Sequence, residues 1–180
     1  MADDPADRDA RLHQVAEYEA TLRHASRASS LRSLGTTKAF AAVYRRIGPR
    51  LDPWLMHKSQ GRVFTRIYGI PILLLDTTGA RSGLQRTSPL LYLRDRDDFV
   101  VVGTNFGQRH HPAWTTNLLA HPDAEIEVGP ARLAVTAELA DQRAWEQLWP
   151  RFCAVYPGYA NYLDRCGNRV PRMFLLHPTP

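Results

Sequence analysis

Two short stretches of the chain gather residue types suited to holding an anionic ligand against backbone. The first, Thr77-Thr78-Gly79-Ala80-Arg81-Ser82-Gly83-Leu84-Gln85-Arg86, is small, polar and basic. Small residues let a ligand approach the main chain closely. Arg81 and Arg86 add fixed positive charge and planar donors matched to phosphate or carboxylate. The second stretch runs from Gly103 to His111, ends at Pro112 and opens a helix carrying Trp114 and Asn117. Capture of an anionic cofactor across a small β-barrel is the chemistry this pattern suggests.

Other chemistries find less support. His110-His111 invites a metal, but no second group of His, Cys or carboxylate has ligand spacing. Ser82 and Ser88 lack the strand-turn-helix context of a nucleophile elbow. No GxGxxG follows a strand, which leaves a Rossmann nucleotide site unsupported. Tyr159 and Tyr162 stand at i, i+3 on one helix face and are packing aromatics by default, although buried hydroxyls need partners. Trp114 suits a core position as well as a cofactor contact.

The elements that must position these residues change texture along the chain. Asp7 to Ser26 has Leu12, Val15, Glu19 and Leu22 at helical spacing, with three of the four apolar. Residues 26–30 then read as a linker. Thr37 caps a second helix with Phe40, Val43, Tyr44 and Ile47 on one face, stopped by Gly48-Pro49. Asp52-Pro53 starts a third through Met56. Beyond residue 70 come strands at Ile72–Leu75, Ser88–Leu93, Phe99–Val102, Ala124–Val128, Ala131–Glu138 and Arg172–His177. Arg94-Asp95-Arg96-Asp97-Asp98 makes a tight hairpin loop and Gly129-Pro130 a turn. Helices are expected at Pro112–Leu119 and Asp141–Val155, the latter with Trp145, Leu148, Trp149, Phe152 and Val155 on its apolar side and Pro150 as a kink or break. After the Tyr156-Pro157-Gly158-Tyr159 turn, a short helix runs to Cys166. Short hairpin loops exclude parallel crossovers for the central strands. The fold class is therefore α+β: about six mainly antiparallel strands closing into a barrel, which removes exposed edges. The division is a helical extension over 1–69 and a barrel unit over 70–180.

Length and composition set the frame. A chain of 180 residues with 44% hydrophobic content is sized for one domain with an ordinary core. No apolar run approaches the roughly 18 residues of a membrane span, and the acidic start, with Asp3, Asp4, Asp7 and Asp9, is neither a secretory signal nor a strong anionic-lipid anchor. Cys153 and Cys166 suggest no disulfide framework, so a cytoplasmic protein is the default. The net charge of +5 favours anionic partners in general. No basic stripe with interleaved aromatics points to nucleic acid, and oligomeric state stays open.

The run DTTGARSG with Arg86 and Pro89-Leu90, then GTNFG, HPAWTTNL, AHPDAEIEVG, WPRF and YPGYANY resembles the deazaflavin-dependent nitroreductase family, in the family's order from Ile70 to the C-terminus. The resemblance implies a split β-barrel that binds coenzyme F-420 and passes hydride from its reduced form to quinones, nitro compounds or other activated acceptors. By the same resemblance, Arg81 and Ser82 with the Gly79 and Ala80 backbone would hold the coenzyme phosphate and acidic tail, and Arg86 would add a second cationic contact. Thr87, Ser88, Pro89, Leu90 and Leu91 would flank the ring, and Val102, Gly103, Thr104 and Asn105 would line the opposite wall. Ala113, Trp114 and Asn117 would sit at the helix N-terminus, where backbone donors suit anions. Tyr159 and Tyr162 would close the substrate side, as hydrogen-bond donors to the acceptor. Many relatives have a lysine where this chain has Asn105, and some nitroreductases a tyrosine where it has Leu91. Tyr92 cannot replace that tyrosine, because neighbours on a strand face opposite sides. A flavin mononucleotide enzyme on the same barrel, or a non-catalytic carrier of the coenzyme or a hydrophobic ligand, are the competing expectations.

Overall fold

The structure is a computed structural model, and it describes residues 4–26 and 71–179. The second and third expected helices, most of the linker before them and the boundary drawn at 69/70 lie outside those residues. Helix α1 spans Pro5–Ser26, followed among the described residues by strands β1 Ile72–Thr78, β2 Gln85–Asp95 and β3 Asp98–Val102. Next come helix α2 Ala113–Ala120, strands β4 Asp123–Val128 and β5 Ala131–Leu139, helix α3 Gln142–Val155, helix α4 Ala160–Cys166 and strand β6 Met173–Pro178. Single 3-10 turns occupy Asn105–Gly107 and Pro157–Tyr159.

The six strands close in the order β1-β2-β3-β6-β5-β4, every pair antiparallel. β1 and β2 are longer than their apolar runs predict. Their pairing continues through Thr77↔Arg86 to Thr78↔Gln85, so only 79–84 remain as loop. Hydrogen bonding along a ladder carries polar residues that the apolar pattern alone does not mark. The β2–β3 hairpin tightens likewise, with Asp95 opposite Asp98 and Arg96 at φ 57.

Antiparallel closure sorts the connections between two ends. Turns at 96–97 and 129–130 share one end. The β1–β2 loop, the segment after β3, helix α2 and the chain around 166–172 share the other. Inside, Leu73, Leu75, Tyr92, Phe99, Val101, Ile126, Leu133, Val135, Phe174 and Leu176 form the core. Trp114 and Leu118 of α2 plug it at the loop-bearing end, and Val15 of α1 is fully buried against it. At the other end the Tyr18 ring lies over Gly129, where an added Cβ would come within 2.6 Å of it. The Tyr92 hydroxyl donates to Glu19 Oε1 at 2.8 Å, which explains the one polar residue in the expected helical stripe.

A second cluster covers the outer face. Leu91, Leu93, Val100, Val102 and Met173 pack against Leu148, Phe152, Tyr159 and Tyr162. Helix α3 begins at Asp141, whose carboxylate accepts the Ala144 N–H at 2.7 Å. Pro150 does not break this helix. Its ring sits on the exposed side, while Leu148 and Phe152 are buried on either side of it in sequence. Packing of that face outweighs the one backbone bond that proline removes, a cost of roughly 3 kcal/mol. Val155 departs from the expected apolar face, being 37% exposed at the helix end.

Candidate functional site

The loop between β1 and β2 is built from its own backbone. The Gly79 N–H donates to Leu84 O at 2.9 Å and the Gly83 N–H to Gly79 O at 2.8 Å. A Cβ at Gly79 would displace Ser82 Oγ, 2.6 Å away, and crowd Leu84 O at 3.1 Å, and Gly83 takes φ 64. Asn117 of α2, itself buried, ties this loop down. Its Oδ1 accepts the Ala80 N–H at 3.0 Å, and its Nδ2 donates to Thr77 Oγ1 at 3.0 Å. The amides of Gly79 and Ala80 thus already donate within the protein, beside the side chains of Arg81, Ser82 and Arg86. These three are exposed, and among the described residues neither arginine forms an ion pair.

The expected ring-flanking run divides between two faces, as alternation on a strand requires. Leu90 packs against the interior core, whereas Leu91 joins the outer cluster with Val102, Tyr159 and Tyr162. Thr87 hydrogen-bonds Asp76, which pairs with Arg132 at 2.9 Å. Trp114 is only 6% exposed and packs on Phe174 with ring centroids 5.8 Å apart. Its ring serves the core, while Ala113, at the start of the helix, is exposed.

Across the same end, Gly103–Gln108 forms a compact turn. Gly103 approaches α2 so closely that a Cβ would lie 2.7 Å from Thr115 Cγ2. Asn105, Phe106 and Gly107 all have positive φ, at 48, 55 and 77. Asn105 Nδ2 donates to His110 O at 3.1 Å. Behind the turn, Arg169 gathers its carbonyls, and Arg172 reaches Thr115 Oγ1 and Thr116 Oγ1, both at 3.4 Å. Burial first, then the charges of Arg172 and Arg169, hold the His111 imidazole below its ordinary pKa. Among the described residues no three His, Cys, Asp or Glu come together as a metal site.

Tyr159 and Tyr162 belong to a wall of rings. Tyr156 contacts Tyr159 at 5.5 Å and Tyr162 at 6.3 Å, Tyr159 meets Tyr162 at 5.7 Å, and Phe106 meets Tyr162 at 6.3 Å. Trp149 extends the wall at 5.9 Å from Tyr159. Burial raises both phenol pKa values well above the usual range. Tyr156 adds to the rise at Tyr159 by its charge, and at Tyr162 by a hydrogen bond and its charge. Both phenols are protonated donors at neutral pH. Sequence reasoning did not single out Tyr156, Phe106, Arg169 and Arg172, which the fold brings beside the expected site residues. The Tyr156, Tyr159, Tyr162 spacing of three was a visible signal; nothing marks Arg169, which lies between a short helix and a strand.

The comparisons with known proteins bear on this arrangement. Residues 49–177 match the family model described as F420H(2)-dependent quinone reductase. The chain belongs to this family. An F420H(2)-dependent quinone reductase of Mycobacterium tuberculosis is 37% identical over 130 residues, covering 70% of this chain and 87% of the relative. A second from that organism, a putative member, is 37% identical over 103 residues, covering 57% of this chain and 83% of its own length. Among solved structures, an F420-H2 dependent reductase superposes with a TM-score of 0.55 at 30% identity, over 59% of this chain and 94% of that one. A domain-swapped dimer superposes with a TM-score of 0.55 at 27% identity, over 69% and 97% of the two chains. The shared fold is the split barrel expected from the motifs. No helix among the described residues is long and apolar enough to cross a membrane.

Proposed function

We propose that this protein is an oxidoreductase that passes a hydride from reduced coenzyme F-420 to a quinone, with the coenzyme lying across the loop-bearing end of the barrel. Family membership carries the reaction. One observation carries the location: Arg81, on the β1–β2 loop that Asn117 holds in shape, and Arg86, at the start of β2 beside it, stand exposed and without ion pairs among the described residues. Unpaired guanidinium groups on a fixed hairpin suit the phosphate and acidic tail of such a coenzyme.

When bound, reduced F-420 supplies the hydride, and the remaining work belongs to the protein. Arg81, Ser82 and Arg86 hold the anionic tail. Leu91 of β2 and Val102 of β3 are buried in one outer cluster with the rings of Tyr159 and Tyr162, and this cluster would back the coenzyme ring and its acceptor. Those phenols close the acceptor side, and their raised pKa values keep them as donors toward an acceptor oxygen gaining charge. Cys153 and Cys166 are free thiols, which suits a reducing compartment, and we place the protein in the cytoplasm.

The test is titration with oxidised F-420 and with flavin mononucleotide, followed by ring fluorescence, then steady-state oxidation of reduced F-420 with a quinone. Preferential binding of deazaflavin and turnover above the uncatalysed rate are expected. Equal or tighter flavin binding would make it a flavin enzyme. Binding without turnover across quinone, enone and nitro acceptors would make it a carrier.

A further inference from the structure

We infer that Arg169 is a positioning residue for coenzyme binding, which it serves by holding the Gly103–Gln108 turn in its left-handed form. The inference rests on the functional reading above and on the family resemblance, by which Gly103, Thr104 and Asn105 of this turn would line the coenzyme. Three consecutive residues of positive φ, two of them not glycine, are costly for L-amino acids, most of all at Phe106 and less at Asn105, whose short amide tolerates this region better. Such a turn persists only where its surroundings over-determine it.

Arg169 supplies that determination. Its Nη1 donates to Gly103 O at 2.9 Å and lies 3.4 Å from His111 Nδ1. Its Nη2 donates to Thr104 O at 2.7 Å and Gln108 O at 2.8 Å, and its Nε donates to Gln108 O at 3.0 Å. Nη2 also lies 2.9 Å from Cys166 Sγ, which is 3.9 Å from Thr104 O. One planar guanidinium therefore pins carbonyls on both sides of the left-handed run. With the carbonyls drawn behind the turn, the Asn105 N–H has no acceptor among the described residues. The same guanidinium is anchored at the end of α4, the helix that carries Tyr162, and Gly107 fits against that helix so closely that a Cβ would lie 2.8 Å from Arg165 Cβ. Coenzyme wall and acceptor wall are thereby set at one spacing. A lysine keeps the charge but offers three donors from a single point, so it cannot reproduce the fork.

The experiment compares wild type, Arg169→Lys and Arg169→Lys/Asn105→Gly by equilibrium binding of oxidised F-420, amide hydrogen exchange and thermal unfolding. Arg169→Lys is expected to weaken deazaflavin binding about tenfold or more, the scale of a lost charged hydrogen bond. Exchange at Gly107 and Gln108, whose N–H groups donate to Thr104 O and Asn105 O, should accelerate with or without coenzyme. Glycine adopts positive φ freely, so Asn105→Gly should recover about threefold or more of the lost affinity in the lysine background, which a role in global stability alone would not produce. A folded Arg169→Lys protein that binds within about twofold of wild type, with unchanged exchange, overturns the inference. Should that variant fail to fold, the Arg169 Nε–H signal of wild type decides: protection from exchange and a shift on adding F-420 support the inference, and a rapidly exchanging, unmoved signal overturns it. Wild type that fails to bind F-420 overturns the functional reading instead.

Discussion

Asn117 grips the backbone of Ala80, accepting its N–H at 3.0 Å while donating to Thr77 Oγ1 at 3.0 Å, so one buried amide on α2 sets the shape of the arginine loop. Thr77 Oγ1 in turn reaches Arg86 O at 3.4 Å. Asn117→Leu removes both bonds, leaving the partly buried Ala80 N–H without its acceptor and the buried Thr77 Oγ1 with only its bond to Arg86 O. A loss of about 1–3 kcal/mol in stability is expected for such unsatisfied groups, read by chemical denaturation. F-420 affinity should fall as well. Unchanged affinity would show that the loop keeps its shape without the clamp.

Arg86→Ala should weaken F-420 binding by roughly 1.5–3 kcal/mol, the worth of hydrogen bonds to charged groups. Because Arg86 is exposed, the difference between variant and wild type should shrink in high salt. Fluorescence titration at two ionic strengths measures both. An affinity that ignores the substitution would make Arg86 a plain surface charge.

Phe at position 159 or 162 keeps the ring contacts at 5.7 Å and removes one hydroxyl. If that hydroxyl donates to the acceptor, F-420 affinity stays within about twofold while turnover falls roughly 10- to 1000-fold. Alanine at either position should cost stability instead, through the cavity it leaves in the outer cluster. Full turnover in both phenylalanine variants would remove the tyrosines from the mechanism and leave the reductase assignment intact.

His177 of β6 joins Asp98 of β3 at 2.9 Å and Glu138 of β5 at 3.2 Å. Burial pushes its pKa down, but the hydrogen bonds and charges of Asp98 and Glu138 outweigh that and the net shift is upward. A pKa raised in the folded state gives stability that is complete below the unfolded value of about 6.5 and is lost as pH rises through the folded value. Stability should therefore decline modestly above neutrality, by less than about 1 kcal/mol because the groups are partly exposed. His177→Asn should abolish that decline. A decline that survives the substitution would trace to another group.

Much of the local architecture of the candidate site is legible in the sequence. Gly79, Arg81, Ser82 and Arg86 lie close in sequence on a tight hairpin, and short-range turn chemistry is written in residue type. Strand alternation separated Leu91 from Tyr92, and the structure places them in the outer and inner clusters respectively. The hairpin spacing likewise determined antiparallel pairing and a barrel. Only the tertiary structure decided how far β1 and β2 run, because ladder bonds between Thr77 and Arg86 depend on partners and not on hydrophobicity. It also decided that helix α3 survives Pro150, since packing of Leu148 and Phe152 is a long-range energy absent from local propensity. The roles of Asn117 and Arg169 are likewise tertiary. Asn117 meets Ala80 across 37 positions of chain, and Arg169 meets Thr104 across 65. A polar side chain signals its own hydrogen-bonding capacity in the sequence; which distant carbonyl or amide satisfies it follows only from closure of the barrel.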